Sequence, residues 1–202
     1  MVGVPADRHT PRPVTEHSLI HAGRVWDIVA DVIDLGPTQV LREYVDHPGA
    51  VAIIAVDERD RVLLISQYRH PVRSELWEPP AGLLDVVGEA PVLAAARELA
   101  EEADLRADTW HVLMDFYTTP GGSSEQIEVF LARGLHPVPQ DERHVRTDEE
   151  ADIVPMWVPL DDAVDAVLAG RLHSSTAVVG VLAAARARVR GWDTLRPAGP
   201  PA

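Results

Sequence analysis

The chain reads as an α+β protein: a mixed central sheet held between helices, an α/β/α sandwich, preceded by a small antiparallel β domain. Residues 50–56 and 61–67, in "GAVAIIAVDERDRVLLISQYR", are almost wholly apolar, as strands covered on both faces are. Residues 91–103 carry apolar side chains at helical spacing, between stretches that alternate as strands do. These strands and helices follow one another without a strict βαβ repeat, which indicates a mixed sheet rather than a parallel one.

In chain order, the first 15 residues hold three prolines and mixed charge and read as a loose tail, with order expected from about His17. "SLIHAGRVWDIVADVIDLG" and "TQVLREYVDHPG" alternate with a period of two between glycine punctuation and predict a strand meander over 17–48. The two apolar strands open a larger domain, expected over 49–192. Pro91 suits a first helical position, and Val92, Ala95, Ala96, Leu99 and Ala103 recur every three or four residues, forming an apolar stripe about 100° wide. "WHVLMDFYTT" and "IEVFLARGL" predict strands on either side of the loop "PGGSSE". "QDERHVRTDEEAD" is an acidic loop, "IVPMWVPL" a short strand, "DDAVDAVLAG" a helix ending at Gly170, and "SSTAVVGVLAAARARVR" a closing helix with basic last turns. Residues 193–202 predict a disordered tail.

Eighteen basic against 32 acidic residues give a formal charge of −14, which disfavours nucleic acid and anionic membrane as partners. An anionic substrate therefore calls for a cation as mediator. The chain has no cysteine, which excludes disulfides and thiolate metal sites, and no apolar run approaches the roughly 20 residues of a membrane span. The N-terminus lacks the apolar core of a signal peptide, and the expected location is cytoplasmic.

"RELAEEAD" concentrates this charge. On a helical wheel Glu102 lies about 40° to one side of Glu98 and Glu101 about 60° to the other, so three carboxylates share one face. Like charges at these spacings repel by a few tenths of a kcal/mol per pair, and oxygen-only donors suit a hard cation such as Mg²⁺ or Mn²⁺. A solvated acidic face is the alternative. Upstream, "WEPPAGLLDVVGE" can deliver loop carbonyls and Glu89 beside the same helix.

The segment Gly82 to Leu105, "GLLDVVGEAPVLAAARELAEEADL", resembles the signature of the Nudix hydrolases: Glu89, then seven residues, then Arg97, Glu98, Leu99, Glu101, Glu102 and Leu105 fall on its pattern. Two positions depart from it. Six residues rather than five separate Gly82 from Glu89, and Asp104 stands where that family has glycine. The resemblance implies metal-dependent hydrolysis of a nucleoside diphosphate linked to a further group. It implies Glu98, Glu101 and Glu102 as ligands of Mg²⁺ or Mn²⁺, the Ala81 carbonyl as a further one, and Arg97 as the residue that orients the carboxylates, through Glu89.

"TTPGGSSEQIEVFLA" resembles the ADP-ribose pyrophosphatase subgroup, in which a proline lies 16 residues beyond the last glycine of the signature; from Asp104 that count reaches Pro120. This implies ADP-ribose as substrate and Pro120 and Gly121 as substrate contacts. It also implies Arg69, in "QYRHPV", as a phosphate contact and a homodimer formed through the N-terminal strands. Trp26 or Tyr44 could then stack on adenine, with Arg42 or Glu43 beside it. The catalytic base of that subgroup is a loop glutamate, for which Glu142, Glu149 and Glu150 are the candidates. Alternatives are another nucleoside diphosphate sugar, a diadenosine polyphosphate, or a non-catalytic interaction module.

Overall fold

A computed structural model describes residues 3–146, 152–193 and 195–198. The chain divides into two compact units, one comprising Met1–His47 with Thr119–Glu125, the other Pro48–Thr118 with Gln126–Ala202.

In the first unit β1 (Val14–His21), β2 (Asp27–Asp34) and β3 (Gln39–Asp46) form an antiparallel sheet in the order β1-β2-β3. Order begins at Val14, within the span expected as tail, because Val14 pairs with Ile33 and Asp34 N–H donates to the Pro13 carbonyl. The loop 119–125 belongs to this sheet: Val45 N–H donates to the Gly122 carbonyl at 3.0 Å, Ser124 N–H to the Val45 carbonyl at 2.9 Å, and His47 N–H to Ser124 Oγ at 2.8 Å.

The second unit contains the remaining strands, β4 (Ala50–Ala55), β5 (Arg61–Arg69), β6 (Ser74–Glu78), β7 (Ala81–Leu83), β8 (Leu105–Tyr117), β9 (Gln126–Pro137), β10 (Val154–Pro159) and β11 (Arg196–Pro197), with helices α1 (Pro91–Ala103), α2 (Leu160–Leu168) and α3 (Ser175–Val189). One sheet runs β11-β8-β9-β4-β7 and another β10-β5-β6. In the first of these sheets β4 and β9 are parallel while the other described pairings are antiparallel, so the sheet is mixed. β4 and β5 part after the turn at Asp57–Asp60, joining different sheets with one bridge, Val56 to Val62, between them.

The wholly apolar β4 is explained by its two covered faces. Ala52 and Ile54 pack with Leu160, Ala163, Val181 and Ala184 of α2 and α3, while Val51 and Ile53 pack with Val92, Ala94, Ala95 and Leu99 of α1. Helices thus close both sides, giving the expected α/β/α sandwich. Beyond α3, Arg196 and Pro197 pair with Val112 and His111, so the expected disordered tail includes a short edge strand.

α3 comes very close to the sheet at Gly180, where a β-carbon would stand 2.6 Å from Ile54 Cδ1 and 2.9 Å from its Cγ1. Ile54 is fully buried, so making way would require its side chain to shift within a close-packed core. Gly180→Ala is therefore expected to lower stability by about 1–3 kcal/mol through overpacking, despite alanine's better helix propensity. Urea unfolding checks this; an unchanged or raised midpoint would show that the sheet yields.

Candidate active site

The acidic helix is positioned by its packing. Pro91 starts α1, and Val92, Ala94, Ala95 and Leu99 bury its inner side. Ala94 is fully buried although it lies off the expected stripe, whereas Ala96 is only partly covered, so the buried face is rotated from the one read on the wheel. Glu102 is buried as well, only 6% exposed. The cause is β7, which lies against α1 and whose Ala81 N–H donates to Glu102 Oε2 at 2.9 Å.

β7 is the edge of its sheet, and its register sets which way Ala81 faces. Ile53 N–H donates to the Pro80 carbonyl and Leu84 N–H to the Gly49 carbonyl, while Ala81 stands opposite Ala52. Antiparallel strands alternate, so Ala81 turns both its N–H and its C=O away from β4, toward the side where Glu102 lies. At the next residue the absence of a side chain matters: a β-carbon on Gly82 would sit 2.0 Å from both Cδ and Oε1 of Glu98. Glycine lets the Glu98 carboxylate lie on the loop backbone.

Arg97 gathers the other carboxylates. Its Nε and Nη2 donate to the two oxygens of Glu89 at 3.3 and 3.2 Å, and its Nη1 donates to Glu98 Oε1 at 2.7 Å and to Glu101 Oε2 at 3.1 Å. The Glu89 hydrogen bond, with the charges of Glu98 and Glu101, holds the guanidinium pKa well above its ordinary value. The extra loop residue does not separate Glu89 from Arg97. The turn after β7, in which Glu89 N–H donates to the Val86 carbonyl at 3.1 Å and Val87 is wholly exposed, brings Glu89 back to Arg97.

Asp104, in the glycine position of the signature, ends α1 in the left-handed conformation at φ 54°, ψ 36°. Aspartate is among the few side chains that accept this geometry.

The donor set fits a hard divalent cation: carboxylates and a backbone carbonyl, drawn together by a glycine cradle and a half-buried edge strand. Among the described residues no three acidic or histidine side chains already converge on one point, because Glu98 and Glu101 turn to Arg97 as their counter-charge.

The other expected residues are distributed as follows. Arg69 ends β5, where its Nε and Nη2 donate to Glu78 Oε2 at 3.1 and 2.6 Å. Glu78 is 6% exposed and escaped sequence reading; its one signal was a carboxylate set between Trp77 and the Pro79–Pro80 pair. Glu142 is half exposed and pairs with Arg106 at 2.5 Å, while Glu149 and Glu150 lie outside the described residues. Trp26, Arg42, Glu43, Pro120 and Gly121 belong to the first unit. There the half-exposed Trp26 stacks on His47 at 5.8 Å, exposed Arg42 donates to the Leu41 carbonyl, and Tyr44 donates to Asp31.

An α/β/α sandwich with an oxygen-donor loop and helix at one sheet edge defines a class of candidate cation-assisted hydrolases. The chain belongs to the NUDIX domain family, whose model matches residues 46–177. It is 47% identical over 165 residues to an ADP-ribose pyrophosphatase of Mycobacterium tuberculosis, spanning 81% of this chain and 78% of that protein. It is 37% identical to an ADP-ribose pyrophosphatase of Bacillus subtilis, over 73% of this chain and 78% of that one. A crystal structure of an ADP compounds hydrolase shares the fold with a TM-score of 0.72 at 20% identity, covering 93% of this chain and 99% of that chain.

Burial of Glu102 yields a stability test. Glu102→Ala removes the acceptor of the Ala81 N–H and should cost about 1–3 kcal/mol. Glu102→Gln keeps an acceptor and nearly the same volume, and should lose less than Glu102→Ala. Denaturant melts in chelator compare them; equal losses would mean that this hydrogen bond contributes nothing.

Proposed function

We propose that this protein hydrolyses the diphosphate bond of ADP-ribose to AMP and ribose 5-phosphate, using Mg²⁺ or Mn²⁺. The observation that carries the reading is the juxtaposition of Glu98, Glu101 and Glu102 with the Ala81–Gly82 edge strand. The relatives named as ADP-ribose pyrophosphatases support the choice of substrate.

Glu98, Glu101, Glu102 and the Ala81 carbonyl would hold the cation. When bound, it supplies counter-charge for the diphosphate oxygens and acidifies water. The chain's own residues do the rest. Glu89 grips Arg97 through two hydrogen bonds that are separate from those to Glu98 and Glu101, so Arg97 would keep its place with those two carboxylates holding a cation. Buried Glu78 orients the half-exposed guanidinium of Arg69, which would bind a phosphate oxygen. The base comes from the acidic loop, among Glu142, Glu149 and Glu150; Glu142 must leave Arg106 to serve. Trp26, Arg42 and Glu43 recognise adenine, and Pro120 and Gly121 the ribose end.

The N-terminal sheet supports a homodimer. Every position of β1 is exposed, including Leu19 and Ile20, as is Leu41 of β3, and a second copy would cover this apolar surface.

Glu102→Gln should lower kcat for ADP-ribose at saturating Mg²⁺ by about 10²-fold or more, because an amide is a poor ligand for a hard cation. Following AMP release from the wild type and the variant checks both substrate and site; near-normal turnover in the variant removes Glu102 from the metal set. Light scattering at micromolar concentration should give a mass twice that of the chain, and a fully active monomer would contradict the dimer.

A further inference from the structure

The glycine position occupied by Asp104 carries an unused carboxylate. A glycine there would adopt the left-handed geometry without strain, whereas Asp104 also presents two oxygens beyond the end of α1. Arg146 Nη2 donates to Asp104 Oδ2 at 2.8 Å, and Arg146 Nε donates to the Glu101 carbonyl at 2.8 Å. Arg143 lies 3.8 Å from Asp104 Oδ1 and donates to the Val138 carbonyl at 3.2 Å. Val138, itself buried, donates its N–H to the Asp104 carbonyl at 2.8 Å. Segment 138–146 is therefore fastened to the last turn of α1 at both of its ends. Asp104 and Arg146 are each about three-quarters buried, so solvent competes weakly for the pair.

These contacts meet at a functional place. The carbonyl that Arg146 takes belongs to Glu101 and lies among the unpaired carbonyls at the negative end of the helix. Glu142 lies inside the fastened segment, and Arg146 is the last residue before the stretch that continues to Glu149 and Glu150 in the sequence.

We propose that Asp104 is a positioning residue for hydrolysis: through Arg146 it anchors the acidic loop to the helix that carries Glu101 and Glu102. The proposal rests on the reading of this site as a Nudix hydrolase centre. It assigns to this chain a tether that glycine at the same position could not provide.

The test uses the full chain and the variants Asp104→Gly, Asp104→Asn, Arg146→Ala and the double variant Asp104→Gly/Arg146→Ala. Three quantities are read: kcat and KM for ADP-ribose at saturating Mg²⁺, the thermal midpoint in chelator, and amide hydrogen exchange over 139–146 in chelator. Glycine suits the backbone at 104, so Asp104→Gly should keep or raise the midpoint. It should speed exchange over 139–146 and lower kcat about tenfold or more with KM little changed, the scale expected when a reacting group is misplaced. Asparagine accepts the same geometry and offers Oδ1 to Arg146, so Asp104→Asn should recover most of kcat. The double variant should lose less than the product of the two single losses, because both changes break the Asp104–Arg146 pair, with Arg146→Ala removing in addition the hydrogen bond to the Glu101 carbonyl.

A kcat for Asp104→Gly within about twofold of the wild type overturns the proposal, as do multiplying losses in the double variant. A fall in kcat that tracks a fall in midpoint, without rescue by asparagine, reduces Asp104 to a structural role and overturns it too. Failure of the wild type on ADP-ribose would instead overturn the substrate reading; the kinetic arm then runs on GDP-mannose and diadenosine polyphosphates. A wild type inactive on all of them overturns both.

Discussion

Glu98, Glu101 and Glu102 place three negative charges on adjacent turns of one helix, one of them nearly without access to water. Such a cluster destabilises a helix unless its charge is answered locally. Each neighbouring feature supplies part of that answer. Arg97 reaches forward along the helix to Glu98 and Glu101, Glu89 holds Arg97 from the loop, and β7 offers Glu102 a backbone N–H. Gly82 leaves the space in which Glu98 lies against the loop. Without these contacts the helix would repel its own surroundings.

The scaffold makes the arrangement rigid where it has to be. Leu99, Ala94 and Ala95 fix α1 on the apolar β4, and β4 in turn holds β7 by its register. The same strand is covered on its other face by α2 and α3, with Gly180 allowing their close approach. Burial therefore sets the distance between loop and helix, while hydrogen bonds set the orientation of the carboxylates. Arg97 serves as an internal counter-charge, and its grip on Glu89 is separate from its contacts to Glu98 and Glu101.

Much of this was legible in the sequence because it depends on periodicity. The helix 91–103 and the N-terminal meander each have a period that a linear reading detects, and the pair of central strands stands out as two continuous apolar runs. β6 and β7 have none: they are five and three residues long and flank two prolines. Missing β7 hid the burial of Glu102, since the wheel showed one apolar stripe and gave no sign of a second covered flank. The pairing of Arg69 with Glu78, like that of Asp104 with Arg146, joins residues by tertiary geometry, which spacing does not encode. Residue 104 was readable as a departure from the family's glycine but not as an anchor, and Glu142, Glu149 and Glu150 could not be ranked because a long acidic loop has no pattern to align.

The central claim is that the carboxylate face of α1 is a cation site whose counter-charge in the metal-free protein is Arg97. Crystals grown with Mn²⁺ and measured for anomalous scattering test it directly. The account predicts an anomalous peak in contact with Glu98, Glu102 and the Ala81 carbonyl, with Arg97 still bound to Glu89 and its Nη1 withdrawn from Glu98. A map without a peak at α1, or one in which Arg97 keeps Glu98 and Glu101 while Mn²⁺ binds elsewhere, would contradict it.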